Sequence, residues 1–129
     1  MAIRIVRLGS PRAPDEGLRL GTVRRPPRGV KKQDYARLDY YDVWLPDLAP
    51  TASLVSRAQS AHWTDARWSA FARRYRAEMR RPGAQRLIAV LAALSRQTNM
   101  SVGCYCENQW RCHRSVLREL LTDAGAQIV

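Results

Sequence analysis

The residues best suited to chemistry are concentrated in one segment near the C-terminal end of the chain, residues 104–114. This segment reads CYCENQWRCHR and holds three cysteines, an imidazole, a carboxylate and two guanidinium groups. The apolar run before it predicts a buried strand over residues 100–106, and the apolar stripe after it predicts a helix over residues 115–122. The sequence therefore places its most reactive side chains between a strand and a helix.

This placement favours an anion site. Residues two apart on a strand point the same way, so we expect Cys104 and Cys106 to share a face. Cys112, His113 and Arg114 come at or near the start of the final helix, where unpaired backbone N–H groups and partial positive charge attract anions. Ligands of open α/β sheets bind beyond the carboxyl ends of the strands, which is where this loop is expected. The segment is the predicted functional centre.

Nucleophilic thiol chemistry is the first of three interpretations of this segment. A cysteine at a helix start, close to Arg111, His113 and Arg114, is expected to have a lowered pKa. The thiolate would be Cys112 or Cys106. The cysteine–arginine spacing of the phosphatase loop is absent, so that chemistry is set aside.

The two other interpretations are a zinc site and a phosphate site. Cys104, Cys106, Cys112 and His113 are zinc-ligand types, but their spacing departs from the usual paired arrangement, so no metal is assigned. Alternatively, arginines and helix N–H groups bind phosphate while the cysteines only fill space, as buried cysteines often do. We expect a packing role for Cys104, and functional roles for Cys112, His113 and Arg114.

The rest of the chain predicts the elements that position this segment. Strand patterns come first, at residues 3–8, 18–23 and 38–45, the last also compatible with an irregular buried run. Three helices are predicted before the last one. The first begins after an N-cap at Thr51, the second spans residues 65–81 and ends at Pro82-Gly83, and the third spans residues 84–97. The third helix is apolar over much of its circumference and is expected to be largely buried. This order predicts a single layered α/β domain over residues 1–129.

Composition bears on the partners. The net charge is +11, and apart from Lys31 and Lys32 all the basic residues are arginines. Such a field favours anionic ligands. It also supports a rival function, a nucleic-acid-associated protein acting through the basic loop at residues 24–32 and the arginine-rich face of the helix over 65–81. A third class is a metal-bound structural or redox module.

The sequence also bears on the cellular compartment. No run approaches the ~20 apolar residues of a membrane span. Basic residues interrupt the short N-terminal apolar run, unlike a secretory signal. Three clustered cysteines make a poor disulfide framework. We therefore expect a cytoplasmic protein with free thiols and no membrane partner, whose oligomeric state and cofactor the sequence does not specify.

Four stretches, at residues 27–32, 42–51, 62–78 and 106–114, together resemble the bacterial domain of unknown function 488 family, most closely its YeaO-like branch. The resemblance implies a small cytoplasmic α/β protein with a Rossmann-like three-layer arrangement, in which helices flank a small central sheet. It implies no established activity. Family-type positions in this chain are Arg28, His62, Tyr75, Cys106, Glu107, Cys112, His113 and Arg114.

One motif departs from the family pattern. Members of the YeaO-like branch tend to read Asp-Arg-x-Trp-Pro-Arg-Gly where this chain reads VRRPPRG at residues 23–29, so the acid and the tryptophan are absent. If that acid is catalytic in the family, this member binds its ligand without turnover.

Together, these observations predict a site for a phosphate-bearing small molecule, such as a nucleotide, at the start of the last helix. The predicted ligand-binding residues are Arg28, His62, Tyr75, Arg111 and Arg114. Cys112 is the predicted nucleophile and Cys106 the second candidate. His113 or His62 would act as the base, and Glu107 would orient the reacting groups.

Overall fold

The structure, a computed structural model, describes residues 1–60 and 62–129. This part of the chain contains four strands: β1 (Ile3–Arg7), β2 (Leu18–Gly21), β3 (Val43–Trp44) and β4 (Met100–Cys104). It also contains four α-helices: α1 (Ala52–Ser60), α2 (Asp65–Glu78), α3 (Pro82–Leu94) and α4 (His113–Asp123), and two short 3₁₀ helices at Lys32–Asp34 and Pro46–Leu48. The predicted α/β class is confirmed.

The sheet is parallel throughout, in the order β1-β4-β2-β3. The last strand in the sequence is thus inserted between β1 and β2, where it is buried along its whole length. Because all strands run the same way, their carboxyl ends meet at one edge of the sheet. The segments that follow β2 and β4 therefore lie side by side.

All four helices contribute side chains to one core cluster, together with Ile3, Leu20, Met100 and Val102 of the sheet. The strand register pairs Ile3 with Met100 and Leu20 with Val102, so these sheet residues share a face. On the opposite face, Ser101 contacts Glu16 and Gly21 lies against Tyr41, so in the described part of the chain this face is covered by the connections around β2 and β3 and not by an α-helix. The third layer implied by the family resemblance therefore consists of loops here.

A buried polar network holds this loop layer to the sheet. Arg19 and Glu16 are an almost inaccessible ion pair, with Nε and Oε2 2.7 Å apart. Ser101 on β4 donates its hydroxyl to the same Oε2 at 2.6 Å. Burial acts to raise the pKa of Glu16, but the hydrogen bonds from Arg19 and Ser101 outweigh it and lower the pKa to about 2. Glu16 is therefore a carboxylate that fixes the loop before β2.

Three predicted boundaries are corrected. β4 ends at Cys104 instead of residue 106. Of the run 38–45, only Val43–Trp44 is a strand. α2 ends at Glu78, and Pro82 does not end that helix but begins α3, since a first-turn position needs no backbone N–H.

The expected burial of α3 is also wrong along one face. Ile88 and Leu91 are buried, but Val90 is 52% and Leu94 40% exposed, because only one side of α3 meets the core. Among the described residues, no helix has the length and hydropathy needed to cross a membrane.

Candidate functional site

A cleft of about 940 Å³ opens at the carboxyl edge of the sheet. It lies between the basic segment after β2, one side of α1, and the β4–α4 connection. Four arginines line it: Arg24, Arg25, Arg28 and Arg111. Four aromatic side chains line it as well: Tyr40, Trp63, Phe71 and Tyr105. The lining formed by the described residues contains no carboxylate, so the cleft is strongly cationic.

Three cysteines meet at the wall of this cleft. The Sγ atoms of Cys104, Cys106 and Cys112 all lie within 4.8 Å of one another, and those of Cys104 and Cys112 are 2.7 Å apart. Cys104 and Cys112 are buried, whereas Cys106 is exposed. The strand was predicted to bring Cys104 and Cys106 together, yet it ends at Cys104, and the chain turn after β4 does so instead.

The three thiols differ in acidity. Hydrogen bonds with Cys104 and Cys112 stabilise the thiolate of Cys106 and lower its pKa well below that of a free cysteine, and the Arg114 charge adds to this. The pKa of Cys104 is raised by hydrogen bonding to Cys106 and Cys112 and by burial. The hydrogen bond with Cys104 acts to lower the pKa of Cys112, but that with Cys106, and burial, raise it to about 11. The exposed thiol is the one that ionises first.

His113 is a buried, neutral imidazole. Its Nε2 lies 2.7 Å from the carbonyl oxygen of Thr22, which can only accept, so Nε2 carries the proton. The unprotonated Nδ1 lies 3.8 Å from Cys112 Sγ. Burial lowers the pKa of His113 to about 4. Through its hydrogen bond to Thr22, the ring ties the start of α4 to the end of β2.

Arg114 is a buried residue that contacts the cysteine loop, the connection between β4 and α4. It is only 3% exposed, and its Nη2 donates to the carbonyl oxygen of Cys106 at 2.6 Å. Its Nε is buried and has no partner among the described residues. Arg114 is not among the residues that line the cleft. Its position suits holding Cys106 in place rather than direct contact with a ligand.

Two other predicted ligand-binding residues do line the cleft. Arg28 belongs to the exposed loop after β2. Arg111 lies on the opposite side, where its Nη2 contacts Asp65 Oδ1 at 2.6 Å and its guanidinium lies 5.8 Å from the Trp68 ring centre. The structure thus brings these two arginines to the cleft that the cysteines border.

The remaining predicted residues lie elsewhere. Tyr75 is fully buried; its hydroxyl donates to the Leu48 carbonyl at 2.7 Å, and its ring contacts the His113 ring edge-on. Glu107 is exposed and lies 3.6 Å from Arg7. His62 is exposed, and it is its neighbour Trp63 that lines the cleft. None of the three contributes to the lining formed by the described residues.

Sequence reasoning did not select Arg24, Arg25 and Tyr105 as site residues. Arg24 is fixed by hydrogen bonds to backbone carbonyls that include that of Pro50, 2.9 Å from its Nε. Tyr105 donates its hydroxyl to the Arg25 carbonyl at 2.9 Å, which joins the basic loop to the cysteine loop. The sequence does contain an indication of their role. The basic loop follows a strand of the parallel sheet, so it begins at the same edge of the sheet as the cysteines.

Comparison with known families gives one match. The family model DUF488-N3a, whose description is "Active DUF488-N3 subclade", matches residues 3–125. No curated protein matches the chain, and no solved structure matches it. Since the matched region covers almost the whole sequence, the family expected from the sequence is confirmed, and the chain belongs to the DUF488-N3a subclade of the DUF488 family.

Proposed function

We propose that the cleft binds a phosphate-bearing small molecule, such as a nucleotide, and that the Cys106 thiolate is the reacting group. The observation that carries this proposal is the meeting of an exposed thiol with a lining that, among the residues the structure describes, has four arginines and no carboxylate. Thiolates react and thiols do not, so a cysteine that is ionised at neutral pH is poised for nucleophilic chemistry.

The present partners of the four arginines bear on whether they can bind an anionic ligand. Arg24 donates to backbone carbonyls and Arg111 to Asp65. Arg25 and Arg28 are exposed, and within residues 1–60 and 62–129 neither has a carboxylate partner. Guanidinium groups bind phosphate through paired N–H donors, so these two arginines are suited to a phosphate group.

The size and the aromatic wall support a nucleotide. A volume of about 940 Å³ is in the upper part of the usual range for small-molecule sites. Trp63 and Phe71 lie on the side of the cleft formed by the helices, with ring centres 5.6 Å apart. Phe71 is buried, and the partly buried Trp63 offers stacking area for a base while the arginines take the phosphate.

Among the thiols, exposure and acidity favour Cys106 as the nucleophile over Cys112, which is buried and has a raised pKa. In this arrangement, Cys112 donates a hydrogen bond to the thiolate, and His113 and Arg114 are positioning residues. The description of the family model as an active subclade supports an enzymatic role. We also propose a cytoplasmic location, because three free thiols persist in reducing surroundings.

Thermal melting of the full chain tests the ligand class. The probes are pyrophosphate, AMP, ADP, ribose 5-phosphate and a short single-stranded oligonucleotide, each at low and moderate salt. A compound at ~100 times its dissociation constant adds roughly 2.7 kcal/mol, a shift of several degrees for a domain of this size. We expect a shift with a small phosphate compound that is retained at moderate salt.

Arg28→Gln should remove that shift. Arg73→Gln, the same charge change on the exposed face of α2 away from the cleft, should leave it intact. Equal losses in both variants, or no shift with any small compound, would contradict the proposal.

The exposed arginines of α2 favour one alternative, nucleic-acid binding. They include Arg67, Arg73 and Arg74, and the exposed Arg80 follows just after the helix. This function predicts affinity that falls steeply with salt, with a log–log slope of roughly one unit per phosphate contact. Melting shifts from the oligonucleotide alone, lost at moderate salt and reduced by Arg73→Gln, would replace the small-ligand proposal.

A further inference from the structure

The cysteine cluster has a feature that ligand binding does not use, which is a buried pair of thiols beside an exposed one. Cys104 and Cys112 are buried, Cys106 is exposed, and the three Sγ atoms all lie within 4.8 Å of one another. We propose that the cluster is a redox site: a peroxide oxidises Cys106, and the oxidation is passed inward to give a Cys104–Cys112 disulfide.

The first step occurs at the exposed sulfur. The Cys106 thiolate attacks one oxygen of hydrogen peroxide, the O–O bond breaks, and the other oxygen leaves as hydroxide. The sulfur loses two electrons and becomes a sulfenic acid, while the peroxide gains them. Buried thiols cannot meet the oxidant directly, so Cys106 is the point of entry.

Two exchanges complete the sequence. The Cys112 thiol attacks the sulfenic sulfur, water leaves, and a Cys106–Cys112 disulfide forms. The Cys104 thiol then attacks Cys112 Sγ, and Cys106 leaves as a thiolate. The proton released from Cys104 combines with the hydroxide of the first step. One peroxide and two thiols thus yield one disulfide and two waters.

The geometry favours the buried pair as the final disulfide. The Sγ atoms of Cys104 and Cys112 are 2.7 Å apart, which leaves about 0.7 Å of closure to a disulfide bond. Two thiolates on one tetrahedral zinc ion stand about 3.8 Å apart, given Zn–S bonds of about 2.3 Å, so the pair is closer than zinc ligands would be. Cys106 is also the best leaving group, since the least basic thiolate leaves fastest.

Peptide mapping of the full chain tests this product. Reduced protein is treated with one equivalent of hydrogen peroxide, blocked with iodoacetamide and digested with trypsin. Cleavage after Arg96, Arg111 and Arg114 separates Cys112 from the other two cysteines. We expect peptides 97–111 and 112–114 joined by a disulfide, with the alkyl group on Cys106 and none on Cys104.

Single-cysteine variants separate the steps. Cys104→Ser should stop at the Cys106–Cys112 disulfide, and Cys112→Ser should leave a sulfenic acid on Cys106 that dimedone traps. Cys106→Ser should slow disulfide formation by about tenfold or more, because only buried thiols of raised pKa remain. Loss of fold in any variant would show in its circular dichroism spectrum, and the wild-type map stands without the variants.

Three results would overturn the inference. They are over-oxidation of Cys106 without a linked peptide, disulfide formation in Cys106→Ser at the wild-type rate, and a native mass showing a bound metal ion that blocks oxidation until a chelator removes it. The experiment uses no phosphate ligand, so its failure is distinguishable from failure of the proposed binding function.

Discussion

The three cysteines are the same residue type, and their surroundings make Cys106 different from the other two. Exposure admits a reagent or a ligand, and the neighbouring thiols stabilise its charge. Cys112 has the helix-start position that would ordinarily lower its pKa, but it is enclosed by Cys104, His113 and the end of β2. The hydrogen bond with Cys106, together with burial, outweighs the helix terminus and raises the Cys112 pKa, which reverses the order of nucleophiles expected from the sequence.

The ionised state of Cys106 gives the first prediction. A thiol with a pKa of about 8.5 reacts roughly 70-fold faster at pH 8 than at pH 6, because its thiolate fraction rises. Since the Cys106 pKa is already low, its alkylation by iodoacetamide should change less than about threefold over the same range. Mass spectrometry of timed samples measures the rate, and Cys106→Ser provides the background. An ordinary pH dependence would contradict a stabilised thiolate.

His113 gives a pH-dependent stability. Its pKa is about 4 in the folded chain, below the value of about 6.5 expected when unfolded. The unfolded state therefore binds the proton more readily, and stability present above pH 6.5 is lost as the pH falls toward 4. From pH 7 to pH 5 the free energy of unfolding should fall by roughly 2 kcal/mol through this group.

Urea unfolding at the two pH values measures this loss. Cys106 contributes a pH dependence of the same sign, because its low pKa leaves the folded chain with one proton fewer than the unfolded chain over this range, so both variants are made in a Cys106→Ser background. In that background His113→Asn should remove most of the pH dependence, whatever it does to stability itself, whereas His62→Asn at the exposed histidine should keep it. Glu16 does not interfere, because its pKa of about 2 places its own loss at lower pH. An unchanged slope in His113→Asn would assign the effect to another group.

The location of the candidate site could be predicted from the sequence, but the roles of its residues could not. Residue types within 104–114 were sufficient to select the segment, because reactive side chains are rare and are clustered there. Their separate roles depend on burial and on contacts across the fold, such as His113 with Thr22, 91 positions away. Tyr75 shows the same limit, since its hydroxyl is engaged with Leu48 inside the core.

At the scale of elements, β4 and α4 position the site. β4 is one of the two central strands and carries Cys104 at its carboxyl end, and α4 begins directly after Cys112. The sequence predicted both elements, since one has a continuous apolar run and the other an amphipathic stripe. It could not predict the Arg19–Glu16–Ser101 network, because Glu16 and Ser101 meet only when β4 enters the sheet, 85 positions along the chain.

Close packing of β4 against β1 yields the third prediction. A Cβ added at Gly103 would lie 2.7 Å from the Val6 carbonyl oxygen and 2.8 Å from Leu8 Cδ2. The Val6 backbone cannot move away without disturbing the pairing of β1 with β4. Gly103→Ala should therefore lower the free energy of unfolding by about 1–3 kcal/mol and disturb the neighbouring Cys104. Urea unfolding measures the loss.

Gly83→Ala is the matched control. Gly83 lies in the first turn of α3 with nothing within 4 Å of an added Cβ. Since alanine lowers the entropy of the unfolded chain and favours helix, this variant should gain about 0.5–1 kcal/mol. An equal gain in stability for Gly103→Ala would mean that β4 and β1 do not approach as closely as described.

For the whole molecule, the sequence predicted the α/β class and the DUF488 family, and both are confirmed. It could not assign the +11 net charge to a surface, because the arginines are spread along the chain. Folding gathers Arg24, Arg25, Arg28 and Arg111 around the cysteines and leaves others on the exposed face of α2. The cleft, and not the charge as a whole, distinguishes a small-ligand site from general attraction to polyanions.

This distinction gives a whole-molecule prediction. Steering by the overall field should accelerate association of any polyanion at low salt and disappear as salt screens it. Binding in the cleft should persist, because it depends on direct contacts. Stopped-flow association rates and equilibrium affinities for ADP can be measured at 0.02 and 0.2 M salt, roughly a threefold change in Debye length. Between these two salt concentrations, the association rate should change more than the affinity. Affinity that collapsed with salt would favour the nucleic-acid function.

Protection of Cys106 tests the central claim most directly, because it reports binding and location together. Alkylation of Cys106 by iodoacetamide is followed with and without saturating pyrophosphate, AMP or ADP, in the wild type and in Arg28→Gln. We expect at least one compound to slow alkylation about tenfold or more in the wild type, since a ligand held by the arginines would cover the thiol. In Arg28→Gln the protection should be largely lost. Melting shifts from these compounds without any protection of Cys106 would contradict a phosphate site at the cysteine cluster.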